Sequence, residues 1–426
     1  MPEIRLLFTA DLHIGRSLHG TSFLADQRHI LESILEIMRT KRVKWLVIGG
    51  DLFDRAVPSA DAVALADWFF QECVSTLGVQ VVVIAGNHDS PERLDFAAAL
   101  LARQGLHITG SFPESPAPLR LDTGGIPVEL WPLPYAEPST VHQCLDRLGA
   151  AGHNEDPGNH QLAWNRLMDW LRLQWQDRSA FRILVGHLFV TGGSESESER
   201  PLTIGGAQAV RPDSFPGFDL GLFGHLHRAQ EVAAGFNYSG SPLCYSASEA
   251  GQEKSVLLVT VRSPSQPAKK ETALPQSPDL FADLPLSTPD PYIQGKAVTQ
   301  LDRIALVPLR PVRRISGMLA DLLAGSSDDY LFVSLDDPMP IPDAFARLQQ
   351  AYPHLLHVER SLTWEQSETG GDATERRRQA IEAGDAALVA TFIRDMTGHD
   401  PEADWLRLID EILDEQRRDL VSGESA

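Results

Sequence analysis

Leu220-Gly221-Leu222-Phe223-Gly224-His225-Leu226-His227 is an apolar run that ends in two histidines two residues apart. Side chains of a strand alternate between its faces, so His225 and His227 leave the strand end on one side and can reach one metal cluster. Taken alone, a His-x-His reads more simply as a hydrogen-bonded surface pair. Four clusters of Asp, His and Asn upstream, each behind its own apolar run, shift the reading towards metal.

The run over 4–9 ends at Ala10-Asp11-Leu12-His13-Ile14-Gly15, and Ile30, Ile34, Leu35 and Met38 give helical spacing over 26–42. A second run, 43–48, closes with Gly49-Gly50-Asp51-Leu52-Phe53-Asp54-Arg55, and a helix is expected from near Pro58-Ser59. A third, 79–85, ends at Gly86-Asn87-His88-Asp89, after which Ser90-Pro91 offers an N-cap with proline at the first helical position. Three strand–loop–helix units predict a parallel or mixed sheet, with sites beyond the carboxyl ends of its strands. From about residue 106 the texture changes to short strands with Pro- and Gly-rich turns. A helix is predicted over 160–175, and a strand over 181–185 that ends in Gly186-His187. With strands at 231–234 and 256–261, this half reads as a second layer of sheet, giving a sandwich covered by helices. The Ser/Glu-alternating segment 192–199 is a solvated loop or a border of the substrate site.

The chain has 426 residues, enough for two or three domains, and its 43% hydrophobic content fits a globular protein. No apolar run reaches the length of a membrane span and no cleavable leader opens the sequence, so a cytoplasmic protein is expected. Cys73, Cys144 and Cys244 are far apart and outside any CxxC spacing, which supports neither a disulfide framework nor a thiolate zinc site. A formal net charge of −21 argues against binding nucleic acid through a diffuse basic surface. It does not exclude a nuclease, because acidic ligands and bound cations reverse the local potential where a phosphate approaches.

Residues 1–262 read as the catalytic domain and 263–297, rich in Pro, Ser and Ala, as a linker. A small α/β module is expected over 298–362, with strands at 303–309, 330–335 and 355–359 and helices at 316–323 and 343–351. Arg303, Arg310, Arg313 and Arg314 form a local basic cluster there, either a solvated face or a phosphate contact. In the tail, 363–426, Leu388, Val389, Phe392, Ile393 and Met396 share one helical face, and Trp405, Leu408, Ile409, Ile412 and Leu413 another. Two such short helices pack either on the preceding domain or on a partner.

The five clusters, Asp11-x-His13, Gly50-Asp51, Gly86-Asn87-His88-Asp89, Gly186-His187 and Gly224-His225-x-His227, mix carboxylate, imidazole and amide oxygen without thiolate. Such donors suit Mn²⁺, Fe²⁺ or Mg²⁺-like ions better than structural zinc. One carboxylate can bridge two ions about 3.5–4 Å apart, the arrangement that hydrolyses phosphate esters. In content and order the clusters resemble those of the calcineurin-like metallophosphoesterases. That resemblance implies an α/β fold, a two-sheet β-sandwich flanked by helices, with Asp11, His13 and His227 on one ion, Asn87, His187 and His225 on the other, and Asp51 bridging. His88 would then stabilise the developing charge or protonate the leaving oxygen, against the plainer reading of a packed histidine capping the next helix. Asp54 would orient His88 through a hydrogen bond. Gly50 to Arg55 also resembles the protein serine/threonine phosphatase element, but Ala56 replaces its final glycine and Asp89 its glutamate.

Asp51-Leu52-Phe53-Asp54-Arg55-Ala56-Val57-Pro58, Ser196-Glu197-Ser198-Glu199-Arg200, Tyr238-Ser239-Gly240-Ser241-Pro242-Leu243 and Glu249-Ala250-Gly251-Gln252-Glu253-Lys254 are similar to segments of the SbcD family of bacterial DNA double-strand-break nucleases. Ala247 departs from a phenylalanine common there. The likeness implies a Mn²⁺-dependent exonuclease on duplex ends and endonuclease on single strands or hairpins, with an SbcC-type coiled-coil ATPase, two copies of each protein, a DNA-engaging cap at 298–362 and tail helices that dock the ATPase. Competing readings are a metallophosphoesterase for small phosphodiesters, nucleotides or phosphoproteins, and a scaffold for an ATPase with a vestigial metal site.

Overall fold

The computed structural model describes residues 3–121, 127–152, 156, 158–177, 179–199, 209–262, 292–294, 297–339, 341–361, 384–397, 400–401 and 404–413. The chain divides into two compact units. The first comprises 1–314, 327–332 and 352–357, and the second holds the remaining residues.

In the first unit, strand Glu3–Thr9 alternates Leu6 and Phe8 on one face with Leu7 on the other, and all three are buried. A strand apolar on both faces must be covered on both. Trp45–Ile48, Gln80–Ile84 and Leu106–Thr109 follow it in parallel register, as successive strand–loop–helix units demand. Helices Leu24–Lys41 and Ala60–Gln71 cover the outer face, packing Ile30, Ile34, Met38 and Phe69 on Leu7, Leu46 and Val83. Ser59 caps the second of these through its side chain, 3.2 Å from the amide of Ala62.

The second sheet has the order Gln230–Ala233, Phe236–Tyr238, Leu220–Gly224, Phe181–His187, Val128–Leu133, Leu119–Leu121. Its inner face, with Leu130, Ile183, Val185 and Leu222, meets Leu6, Phe8, Val47 and Val82 of the first sheet. Its outer face packs Trp131, Leu184 and Phe223 under helices Pro138–Arg147 and His160–Gln174. The result is the expected sandwich, helices on sheet on sheet on helices.

Four expectations are corrected. Ser255–Arg262 is not in the second sheet: it lies antiparallel beside Glu3–Thr9 in the first, with Glu3 opposite Arg262 and Phe8 opposite Leu257. A strand buried on both faces carries no sign of which sheet it enters. The strand expected at 303–309 is Ala297–Ala305, paired along its length with Ser255–Arg262, so it extends the first sheet and does not open the small module. Tyr292–Gln294 forms that sheet's edge, and the rest of the expected linker, 263–291 and 295–296, lies outside the described residues. The helix predicted at 316–323 shrinks to Leu319–Leu322, because Val312–Gly317 is a strand. Likewise the helix after Ser90 is only Pro91–Leu94, with no side-chain cap from Ser90; Ala97, at φ 60°, interrupts its continuation.

Val312–Gly317, Tyr330–Leu335 and Leu355–Arg360 form a three-stranded sheet in that order. The second unit contains helices Ala344–Ala351 and Asp385–Thr397 and a helical stretch at 404–413. The tail stretches 362–383 and 414–426 lie outside the described residues. No helix among those described is long and apolar enough to cross a membrane.

Candidate dimetal site

Four of the residues that sequence reading singled out sit at positive φ without being glycine: Asp11 at 56°, His13 at 44°, Asp51 at 50° and His225 at 103°. Each such residue costs about 1–3 kcal/mol, which the surrounding structure must hold in place. Here the loops hold each other. The amide of Asp11 donates to the carbonyl of Gly50 at 3.0 Å, His13 to Asp51 at 2.9 Å and Ile14 to Leu52 at 2.9 Å, zipping the first loop onto the second. Asp89 clasps the second loop to the third: its carboxylate accepts from the amides of Leu52, Phe53 and Gly86 at 3.1, 2.9 and 2.9 Å. The amide of His225 donates to both carboxylate oxygens of Asp11, at 2.9 and 3.1 Å, which ties in the second sheet.

The glycines beside these residues permit the approach of one loop to another. A Cβ on Gly86 would stand 2.1 Å from Asp51 Oδ1, and one on Gly50, at φ 99°, 2.3 Å from His187 Nδ1. No side chain fits either place.

Strand ends of both sheets therefore deliver their donors to one buried volume. Asp11, His13 and His227 place ligand atoms within 4.8 Å of one another, as do Asp11, Asp51 and His187, and also His13, Asp51 and His88. Asp51 Oδ2 stands 3.6 Å from His13 Nε2 on one side and 3.6 Å from His187 Nε2 on the other. Asn87 Oδ1 is 2.9 Å from His187 Nε2 and 3.4 Å from His225 Nδ1. Asp51 thus stands between a group containing Asp11, His13 and His227 and a group containing Asn87, His187 and His225.

The donor set fits cations. His227 Nδ1 is 3.2 Å from the Glu249 carboxylate, so its proton belongs on that side and Nε2 offers a lone pair. That nitrogen faces His13 Nε2 at 3.1 Å, while His13 Nδ1 is buried without a hydrogen-bond partner among the described residues. Burial, and then the charge of Asp51, push the Asp11 carboxyl well above its usual range. The same two causes push Asp89 up to about 7, and burial raises Glu199 to about 7. Burial also lowers the imidazoles of His13, His225 and His227, and His187 to about 4. Carboxylates that repel one another beside imidazoles kept neutral are what divalent ions neutralise.

His88 Nδ1 donates at 2.9 Å to the main-chain carbonyl of Asp54, which points Nε2 into the site, 4.0 Å from Asp51 Oδ2. The Asp54 carboxylate instead accepts from Arg16 at 2.8 Å and lies 3.7 Å from His13 Nδ1. The expected orienting contact to His88 thus runs through the backbone of Asp54. The four arginines are spread along the chain: Arg303, on the first sheet, approaches the carbonyl of Ala229, Arg310, in the bend that follows, and Arg313, on Val312–Gly317, pair with Asp328 and Asp329 at 3.3 and 2.8 Å, and Arg314 is exposed beside Arg313.

Gln27 was not singled out from sequence, and Ser198, Glu199, Glu249 and Lys254 were marked only as parts of longer segments. Gln27 donates to the carbonyls of Leu12 and His13, at 3.3 and 2.7 Å, and accepts from the amide of Gly15. Its only advance sign is a polar residue on the apolar face that holds Ile30 and Ile34. Ser198, Glu199, Glu249 and Lys254 gather behind His227, and the amide of His227 donates to Glu199 at 2.6 Å. Segment 192–199 thus borders the site.

A family model described as calcineurin-like phosphoesterase matches residues 4–229, which is the stretch that supplies every donor above. The chain belongs to the calcineurin-like phosphoesterases. Within this phosphoesterase a second model, described as a type 5 capsule protein repressor C-terminal domain, matches residues 308–397. The phosphoesterase chain is also 28% identical, over 416 residues, to the SbcD component of the SbcCD nuclease of Staphylococcus saprophyticus, covering 96% of this chain and 98% of that protein. It is SbcD-like over nearly its whole length. Among solved structures, a dimetal phosphatase from Danio rerio shares 14% identity over 61% of this chain and 96% of its own, with a TM-score of 0.38. GAP50, the anchor in the inner membrane complex of Plasmodium, shares 15% over 61% and 84%, with a TM-score of 0.34. Likenesses that slight carry no argument about this phosphoesterase.

Proposed function

We propose that the chain is the nuclease component of an SbcCD-type complex, hydrolysing DNA phosphodiester bonds with two divalent ions, Mn²⁺ for preference. The observation that carries this reading is Asp51, set 3.6 Å from His13 and from His187 between two groups of donors, in a chain that matches an SbcD nuclease over 96% of its length. Asp11, His13 and His227 would hold one ion, Asn87, His187 and His225 the other, and Asp51 both. When bound, the ions supply Lewis-acid charge at the phosphoryl oxygens and lower the pKa of water.

The protein's own groups do the rest. Positive-φ backbone at Asp11, His13, Asp51 and His225 fixes the donors before substrate arrives. The Asp54 carbonyl holds the proton of His88 on Nδ1, so Nε2 faces the site, and in the imidazolium form it is the nitrogen that gives a proton to the leaving oxygen. The finer reading follows the SbcD likeness: exonuclease on duplex ends, endonuclease on hairpins and single strands, a DNA-engaging module at 298–362, and two copies of this chain with two of a coiled-coil ATPase. Exposure of Leu388, Phe392, Trp405, Leu408 and Ile412 on the tail helices supports their use as a docking segment. Arg303 is a candidate phosphate contact.

The test is cleavage of end-labelled duplex, hairpin DNA and bis-para-nitrophenyl phosphate with Mn²⁺, with and without the ATPase. DNA cleavage that His88→Ala reduces by about 10²–10⁴-fold is expected. Hydrolysis of the small diester alone under every condition would favour a small-molecule phosphoesterase.

A further inference from the structure

Glu249 is fully buried and belongs to neither ligand group. One carboxylate oxygen faces His227 Nδ1 at 3.2 Å and also accepts from Ser198 Oγ, itself 2.6 Å from that nitrogen. The other accepts from Lys254 Nζ, which also bonds the His227 carbonyl at 2.9 Å, Ser241 Oγ at 3.0 Å and Gln252 Oε1 at 3.4 Å. Since the Ser198 hydroxyl has one proton and gives it to Glu249, it can only accept from Nδ1. Both neighbours of Nδ1 therefore act as acceptors, and the ring proton has one place.

We propose that Glu249, locked by Lys254 and shared with Ser198, is the positioning residue that sets the tautomer of His227 and presents Nε2 to the ion held with Asp11 and His13. This rests on the reading of the site as a two-ion centre. It also gives the Ser194–Glu199 segment a physical link to that ion: Ser198 and Glu199 bond the Nδ1 and the amide of the same histidine. Carboxylate–histidine–metal chains of this kind change metal affinity by about 10–100-fold when the carboxylate is altered.

Glu249→Gln is the informative variant. Lys254 carries only donors, so the amide oxygen must face it, and the amide nitrogen then faces His227. A donor at Nδ1 drives the ring proton to Nε2, where it blocks the ion. Two measurements read this: ¹⁵N–¹H correlation of histidine-labelled, metal-free full-length protein for the His227 tautomer, and titration calorimetry with Mn²⁺. The wild type should show His227 protonated on Nδ1 and bind two ions. Glu249→Gln should show it protonated on Nε2 and weaken one ion about 10–100-fold, the same ion that His227→Ala removes, with the other changed less than about threefold. Ser198→Ala keeps the direct contact to Glu249 and should retain the Nδ1 tautomer. If Glu249→Gln does not fold, the wild-type spectrum decides alone: Nε2 protonation there overturns the proposal. Two ions bound with unchanged affinity in Glu249→Gln overturn it and leave the two-ion reading intact. A wild type that binds no Mn²⁺ overturns both.

Discussion

The carbonyl oxygen of Asp54 accepts from His88 while its carboxylate pairs with Arg16, so an asparagine at position 54 keeps the contact that aims His88. Asp54→Asn is therefore expected to lower turnover by less than about tenfold, against about 10²–10⁴-fold for His88→Ala, in steady-state assays at saturating Mn²⁺. A loss in Asp54→Asn equal to that of His88→Ala would mean that the carboxylate acts on the histidine after all. The residue types at the site were legible because carboxylate, imidazole and glycine recur behind apolar runs. Which atom of Asp54 meets His88 was not legible, since a main-chain acceptor leaves no mark in residue identity. Gln27 escaped for a related reason, since it touches the site through backbone bonds, while Ser198 and Glu249 lay in segments the sequence had marked without a sign of which of their residues meets His227.

At the scale of elements, strand existence was readable and strand membership was not. The runs at 4–9, 43–48 and 79–85 came out where apolar continuity put them, and the parallel order followed from the helices between them. Ser255–Arg262 defeated the reading because burial on both faces erases the alternation that would assign it to a sheet. The loops add a constraint that strand patterns do not carry, namely that each glycine answers to a residue on a different loop. Gly86→Ala puts a methyl 2.1 Å from Asp51 Oδ1, where the contact cannot relax without moving the shared carboxylate. Such overpacking costs about 1–3 kcal/mol. Thermal unfolding should show that loss, and calorimetry should show both ions weakened if Asp51 bridges them as proposed. Weakening of one ion alone would argue that Asp51 does not bridge.

For the whole molecule, the two sheets are joined at the site as well as in the core, since Asp11 and Asp51 end strands of the first and His187 and His225 end strands of the second. Ions bound there fasten the sandwich. Ligand at about 100 times its dissociation constant adds about 2.7 kcal/mol. Scanning fluorimetry should therefore show the melting temperature fall when EDTA is added and recover with Mn²⁺; a melting temperature indifferent to both would contradict two-ion binding. The antiparallel seat of Ser255–Arg262 bears on how the chain is made. Its partner, Glu3–Thr9, leaves the ribosome some 250 residues earlier. At about 5–20 residues per second, that is about 12–50 s in which a largely buried strand stands with one edge open. Nothing translated before residue 255 pairs with that edge of Glu3–Thr9, so a message broken anywhere upstream yields a chain whose first strand offers its backbone groups to any strand that meets it.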